Sequence, residues 1–105
     1  NPKIIKDDLA ILGREKIVQI VGLFDQSSQV TLDELIVASA ADNAREIKSL
    51  AHKLKGSAGS LGLSALFALC QSIEASEDPL LQYRDNADSL PELVKDSLAA
   101  LREQL

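Results

Sequence analysis

The sequence predicts an all-α fold, a bundle of amphipathic helices joined by short connections, and three features carry that expectation. Breakers are scarce, with five glycines and three prolines in 105 residues. No stretch alternates apolar and polar residues for long, as a half-buried strand would. Apolar residues instead recur at spacings of three and four, which places them on one face of a helix. Hydrophobic residues make up 46% of the chain and charged residues 26%, a balance suited to a single globular domain over residues 1–105 with a modest core.

Taken in order, residues 3–12 read as a short amphipathic helix stopped by Gly13, a residue suited to a left-handed cap. Residues 16–24 carry Ile17, Ile20, Val21 and Phe24 on one face. The polar run Asp25-Gln26-Ser27-Ser28 reads as an end or a kink. Thr31 with Glu34 then reads as a capping box opening a helix through Leu32, Leu35 and Ile36 to about residue 41. Asn43 with Glu46 is a second box, opening a helix to about residue 61 that Gly62 closes. Residues 63–76 follow with Leu66, Leu69, Cys70 and Ile73 inward. Asp78-Pro79 interrupts, and residues 80–88 read as partly helical. Ser89 with Glu92 forms a third box before a last helix with Leu90, Leu93, Val94, Leu98 and Leu101 inward.

Several function classes are excluded or disfavoured. Eleven cations against sixteen acids give a net charge of −5, a poor basis for neutralising nucleic-acid phosphates, and three aromatic residues are too few for a base-stacking platform. No apolar run approaches the length that spans a bilayer, and no basic-then-apolar leader is present, so no direct membrane contact is expected. One cysteine and one histidine cannot supply a four-ligand zinc site, so no metal is expected, and a lone cysteine suits a reducing, cytoplasmic setting. The chain has no methionine, which points to a domain taken from a longer protein.

Function shows in residues 43–61. On a helical wheel Ile47, Leu50, Ala51, Leu54, Ala58 and Leu61 fall in one narrow sector, the expected core stripe. His52, Lys55, Gly56 and Gly59 fall on the opposite side, which Lys48 and Arg45 extend toward the helix start. The histidine is therefore expected at the surface, flanked by lysines. Residues 43–62 carry four cations (Arg45, Lys48, Lys53, Lys55) and one anion (Glu46), a charge of +3 within a chain of −5. Charge alone is equally consistent with a solvated face. The glycines add weight, because an exposed glycine inside a helix costs about 1 kcal/mol relative to alanine. Neither glycine lies in the core sector, so close packing does not account for them, and Gly56 clears space one turn from the imidazole. The competing reading is a helix that ends near Lys55 with Gly56 as its cap.

An exposed histidine in this setting has few chemical uses. A metal would need a ligand at i+3 or i+4, where Lys55 and Gly56 stand. A hydrolytic triad finds Ser57 and Ser60 in other sectors and Cys70 inward. The glycine-rich run 56–62 follows a helix and lacks the Gly-Lys-Ser/Thr ending of a phosphate loop. Covalent catalysis by the imidazole itself remains. Imidazole ordinarily titrates near about 6.5, so an exposed ring is mostly neutral and nucleophilic at pH 7, and neighbouring cations favour that form. A phosphoryl group taken up by the ring would be an anion that Lys55 could compensate.

The run Ala51-His52-Lys53-Leu54-Lys55-Gly56-Ser57-Ala58-Gly59-Ser60-Leu61-Gly62-Leu63 resembles the histidine-containing phosphotransfer (HPt) family, whose pattern is His-x-x-Lys-Gly with a glycine six residues later. Leu12-Gly13 with the helix ending in Phe24, and the segment from Leu66 to Glu74, resemble that family's flanking elements. The resemblance implies an antiparallel four-helix bundle core with an additional short N-terminal helix. It also implies a phosphorelay intermediate, in which His52 accepts a phosphoryl group from the aspartate of one receiver domain and passes it to that of a response regulator. Lys55 would be the charge partner, Gly56 would give clearance and Gly62 would end the helix; Gly59, Lys48, Arg45 and Lys53 are added as docking candidates. No cofactor is implied beyond Mg²⁺ supplied by the partner receiver, no kinase activity resides in the domain, and a monomer is expected. The run around His52 is also similar to the tails of bacterial hybrid sensor histidine kinases of the trimethylamine N-oxide type, which implies a cytoplasmic tail on a membrane-anchored sensor. The rival reading is a helical adaptor that binds receiver or kinase domains without being phosphorylated.

Overall fold

The structure, a computed structural model, describes residues 13–105, and among them every regular element is an α-helix. These are α1 (Arg14–Ala40), α2 (Ala44–Ser60), α3 (Ser64–Ala75), α4 (Pro79–Asp85) and α5 (Ser89–Glu103). The short helix expected over residues 3–12 lies outside the described residues. Helix α1 packs on α2 and α5, and α3 also packs on both, so these four close a ring around one core; α4 rests on α2 and α3. A helix rises about 1.5 Å per residue, so the 27 residues of α1 account for nearly all of the 43 Å long axis.

The break expected at residues 25–28 is absent, and α1 runs through it without interruption. Ile17, Phe24, Thr31 and Ala38 repeat every seven residues, as do Val21, Ser28 and Leu35, and all seven are buried. Two hydroxyl residues therefore occupy an otherwise apolar seam. Each satisfies its hydroxyl on the preceding turn, Ser28 Oγ on the Asp25 carbonyl and Thr31 Oγ1 on the Ser27 carbonyl, both at 3.0 Å. Thr31 is thus a core residue and not a cap. Ile20 and Ile36, expected inward, are both exposed, Ile36 the more so.

The connections on either side of α2 share one device. At the end of α1, Asp42 N–H donates to the Ser39 carbonyl and Asn43 N–H to the Ala38 carbonyl, with Asp42 at φ +52°. At the end of α2, Gly62 N–H donates to Gly59 and Leu63 N–H to Ala58, with Gly62 at φ +70°. Both are Schellman closures, which turn the chain in three residues. Asn43 then caps α2, its side chain accepting from Glu46 N–H at 3.1 Å, as the sequence predicts. Asp78 caps α4 in the same way through Leu81 N–H, and Pro79 follows at the first helical position, where its missing N–H is harmless. Arg84 of α4 binds the Ser39 carbonyl and Asp42 Oδ1, each at 2.6 Å, tying α4 to the α1–α2 turn.

The expected Ser89–Glu92 box does not form. Asp88 already has helical backbone angles, and Leu90 N–H bonds back to the Asn86 carbonyl, so the chain passes from α4 to α5 through nearly helical backbone and Ser89 is the first residue of the helix. Leu90, Val94, Leu98 and Leu101 enter the core, with Leu93 and Leu69 at its margin. At the far end Arg14 Nε donates to the Leu105 carbonyl at 2.7 Å, and Arg102 pairs with Asp25 at 2.8 Å, fastening α5 along α1.

Candidate functional site

Helix α2 presents its two faces as the wheel predicts. Ile47, Leu50, Ala51, Leu54, Ala58 and Leu61 are all buried, and His52 lies on the outside with 67% of its side chain exposed. The helix continues through Gly56 and Gly59 to Ser60, so the reading in which it stops near Lys55 is overturned. A methyl group at Gly56 would meet nothing within 4 Å, which leaves open space one turn from the imidazole.

Gly59 differs. A methyl group there would lie 3.3 Å from the Phe67 ring of α3, so this glycine is explained by close helix packing, against the expectation that packing plays no part. Phe67 in turn lies under Lys55, whose ammonium is 5.9 Å from the ring centroid. Lys55 is not a freely solvated cation, since only 22% of its side chain is exposed. Arg45, Lys48 and Lys53 are exposed, and among the described residues none of the three forms an ion pair. Ser57 and Ser60 spend their hydroxyls on the carbonyls of Lys53 and Gly56, and Cys70 is buried, so no nucleophile–histidine pair forms.

The group that the sequence reading missed is Glu74 on α3. One carboxylate oxygen, Oε1, lies 2.7 Å from His52 Nδ1, and the other, Oε2, lies 2.6 Å from Lys55 Nζ. The carboxylate therefore bridges the two residues of the motif. The ammonium of Lys55 holds the Glu74 carboxyl below the usual carboxylate range; partial burial opposes this, and the bond to His52 reinforces it. Oε2 is buried and has no aligned hydrogen bond, so its contact with Lys55 is ionic. The charged group bonded to the imidazole is thus an anion, where flanking cations were expected. The sequence marks only its place at the border of a core stripe, since on α3 Glu74 directly follows the buried Ile73 and stands four residues after the buried Cys70; it does not mark the partner.

Cys70, beneath this cluster, has its thiol pushed up to about 12, chiefly by burial and further by the charge of Glu74, with Lys55 acting in opposition. On the opposite side of α2 a cleft of about 380 Å³ opens toward α1, lined by Ile20, Leu23, Phe24, Ser27, Ser57 and Leu61 among others. Among the described residues no three His, Cys, Asp or Glu side chains gather where they could hold a metal ion, and no helix is long and apolar enough to cross a membrane.

This geometry surrounds a sequence that matches the family model of the Hpt domain over residues 19–104. The chain belongs to that family. As an Hpt domain it is 37% identical, over 70 residues, to Sensor protein TorS of Escherichia coli strain K12. That stretch is 67% of this chain and 8% of the relative, so the chain spans a small fraction of the length of the curated protein it matches. No solved structure matches the Hpt domain described by these residues.

Proposed function

We propose that the chain is a phosphorelay intermediate of two-component signalling. In this reading His52 takes a phosphoryl group from the aspartate of a receiver domain and passes it to that of a response regulator. The observation that carries the reading is an imidazole two-thirds exposed beside the vacant surface at Gly56, on a helix of an Hpt domain. Lys55 acts as the charge partner of the phosphoryl group, and Gly56 gives the receiver its approach. The exposed Ile20 and Leu23 of α1 add apolar area for receiver docking alongside α2. The receiver brings the Mg²⁺, and the domain needs no cofactor of its own.

The finer architecture belongs to the same reading. Helices α1, α2, α3 and α5 form the family's antiparallel four-helix bundle, and residues 1–105 form one domain, monomeric in isolation. The parent is a hybrid sensor kinase of the trimethylamine N-oxide type, with this domain as its cytoplasmic tail; the identity to TorS supports the sensor class.

The test is phosphotransfer from a phosphorylated receiver in the presence of Mg²⁺. Acid-labile, base-stable label on the wild type, absent from His52→Gln while receiver binding persists, is the expected result. Binding without label across several cognate receivers would replace the relay by the adaptor reading.

A further inference from the structure

Of the large hydrophobic residues exposed among the described residues, all but Leu81 lie on one helix, α1. The surface of that helix is also nearly free of charge over about four turns. Between Lys16 and Asp33 the only charged residue is Asp25, and it is paired with Arg102. Exposed apolar side chains without charges around them mark the centre of a contact, not a solvated face. In the middle of this stretch stands Gly22, inside the helix, where a methyl group would meet nothing within 4 Å. A helical glycine is costly beside alanine, and no neighbour among the described residues accounts for this one.

At about 100° per residue the outward face of α1 has two edges. Val18, Gly22, Gln29, Ile36 and Ala40 lie toward one, and Leu23, Val30 and Val37 toward the other, with Gln26 and Asp33 between. This pattern is its own complement. Turned end for end about an axis at Gln29–Val30, the face sets Ile36 opposite Gly22 and Val18 opposite Ala40, large against small along one edge. Along the other edge Leu23 meets Val37, and Val30 meets Val30. Between the edges the Gln26 amide can donate to the Asp33 carboxylate, and no two like charges stand directly opposite. A two-fold contact between identical chains requires a patch of this self-complementary kind. A strongly charged partner would find almost nothing to pair with over residues 17–32.

We propose that the outward face of α1 is a docking surface for a second copy of this chain, the two α1 helices packing antiparallel with Ile36 of each copy seated over Gly22 of the other. One helix face per copy is small beside the about 800 Å² per partner of a standard stable interface, so the pair is weak. A dilute domain stays monomeric, and pairing appears where two copies are held at high local concentration. His52, on α2 and bonded to α3, stays outside the contact. Leu23 belongs both to this face and to the apolar area offered to a receiver, so the two occupants compete there.

Sedimentation equilibrium of the domain up to about 1 mM, the effective concentration of a short tether, tests the pairing. Wild type should pass from monomer to dimer over that range. Val30 is exposed, so Val30→Lys and Val30→Glu should keep the fold, which circular dichroism checks. Each should weaken pairing by about tenfold or more, because it sets like charges against each other at the axis. Mixing the two variants should restore pairing, which a general loss of apolar surface could not do. A wild type that is still monomeric at the highest concentration overturns the proposal. So does pairing that Val30→Lys leaves unchanged, or a mixture no better than either variant alone. In a ¹⁵N-labelled domain, amide signals of α1 that move only when a receiver is added would assign this face to the receiver and overturn the second copy as its occupant.

Discussion

Gly56 sits inside a helix, in open space, at a position where alanine would be about 0.5–1 kcal/mol more favourable. Gly56→Ala should therefore raise the unfolding free energy by that amount, read as a higher urea midpoint at unchanged slope; an unchanged or lower midpoint would count against the open surface. A tryptophan at the same position should leave helicity intact but slow transfer from a receiver, and normal transfer would remove the clearance role. Glu74 gives a second test. Its carboxyl is held below the ordinary range in the folded state, so it contributes stability above the ordinary carboxylate pKa of about 4.3, and this is lost as pH falls through the lowered value. Wild type should exceed Glu74→Gln in stability at neutral pH, and the two should converge on acidification; a constant gap between their denaturation curves would show that the charge plays no part. At this scale His52, Lys55 and Gly56 were legible because all three lie on one helix face, where spacing fixes relative position. Glu74 was not, because it stands 22 residues on and reaches His52 only when α3 packs against α2. Gly59 was misread for the same reason, since its partner Phe67 belongs to the neighbouring helix.

At the scale of the elements, α2 follows directly from its sequence: an apolar stripe, an Asn43 cap and a Gly62 closure agree with one another. Helix α1 does not, because Ser28 and Thr31 are turn and cap formers by type and core residues by position. Their hydroxyls can be buried because each bonds to the turn before it. Replacing Thr31 with valine keeps the shape and removes the hydroxyl. In a continuous helix this should change stability by less than about 1 kcal/mol, or increase it, since no buried partner is stranded without alternative. A cap at Thr31 would instead cost about 1 kcal/mol on loss of its side-chain oxygen. Hydrogen-exchange protection running unbroken across residues 25–31 would support the continuous helix independently.

For the molecule as a whole, the ring of contacts from α1 through α2 and α3 to α5 encloses a core that includes Cys70, 1% exposed. With its thiol raised to about 12 and shielded by packing, Cys70 should react with a thiol probe only as fast as the structure opens. Rapid stoichiometric labelling of the native domain would mean that the core under the site is looser than the packing described. The charge distribution, +3 on residues 43–62 against −8 elsewhere, was plain in the sequence, as was the all-helical class. The place of the short α4 was less so, because its hold on the fold is Arg84 reaching back to the turn after α1. The paired Schellman closures carry one more consequence. His52 is the ninth of the seventeen residues of α2, equally far from both locked ends and from the fraying that affects helix termini. The helix behaves as an indexed shaft: one residue added ahead of His52 would turn the ring by about 100° relative to Glu74 unless one lock slipped. The heading of the imidazole is thus set by a count of residues between two turns, and shortening or lengthening that count is a way to steer it.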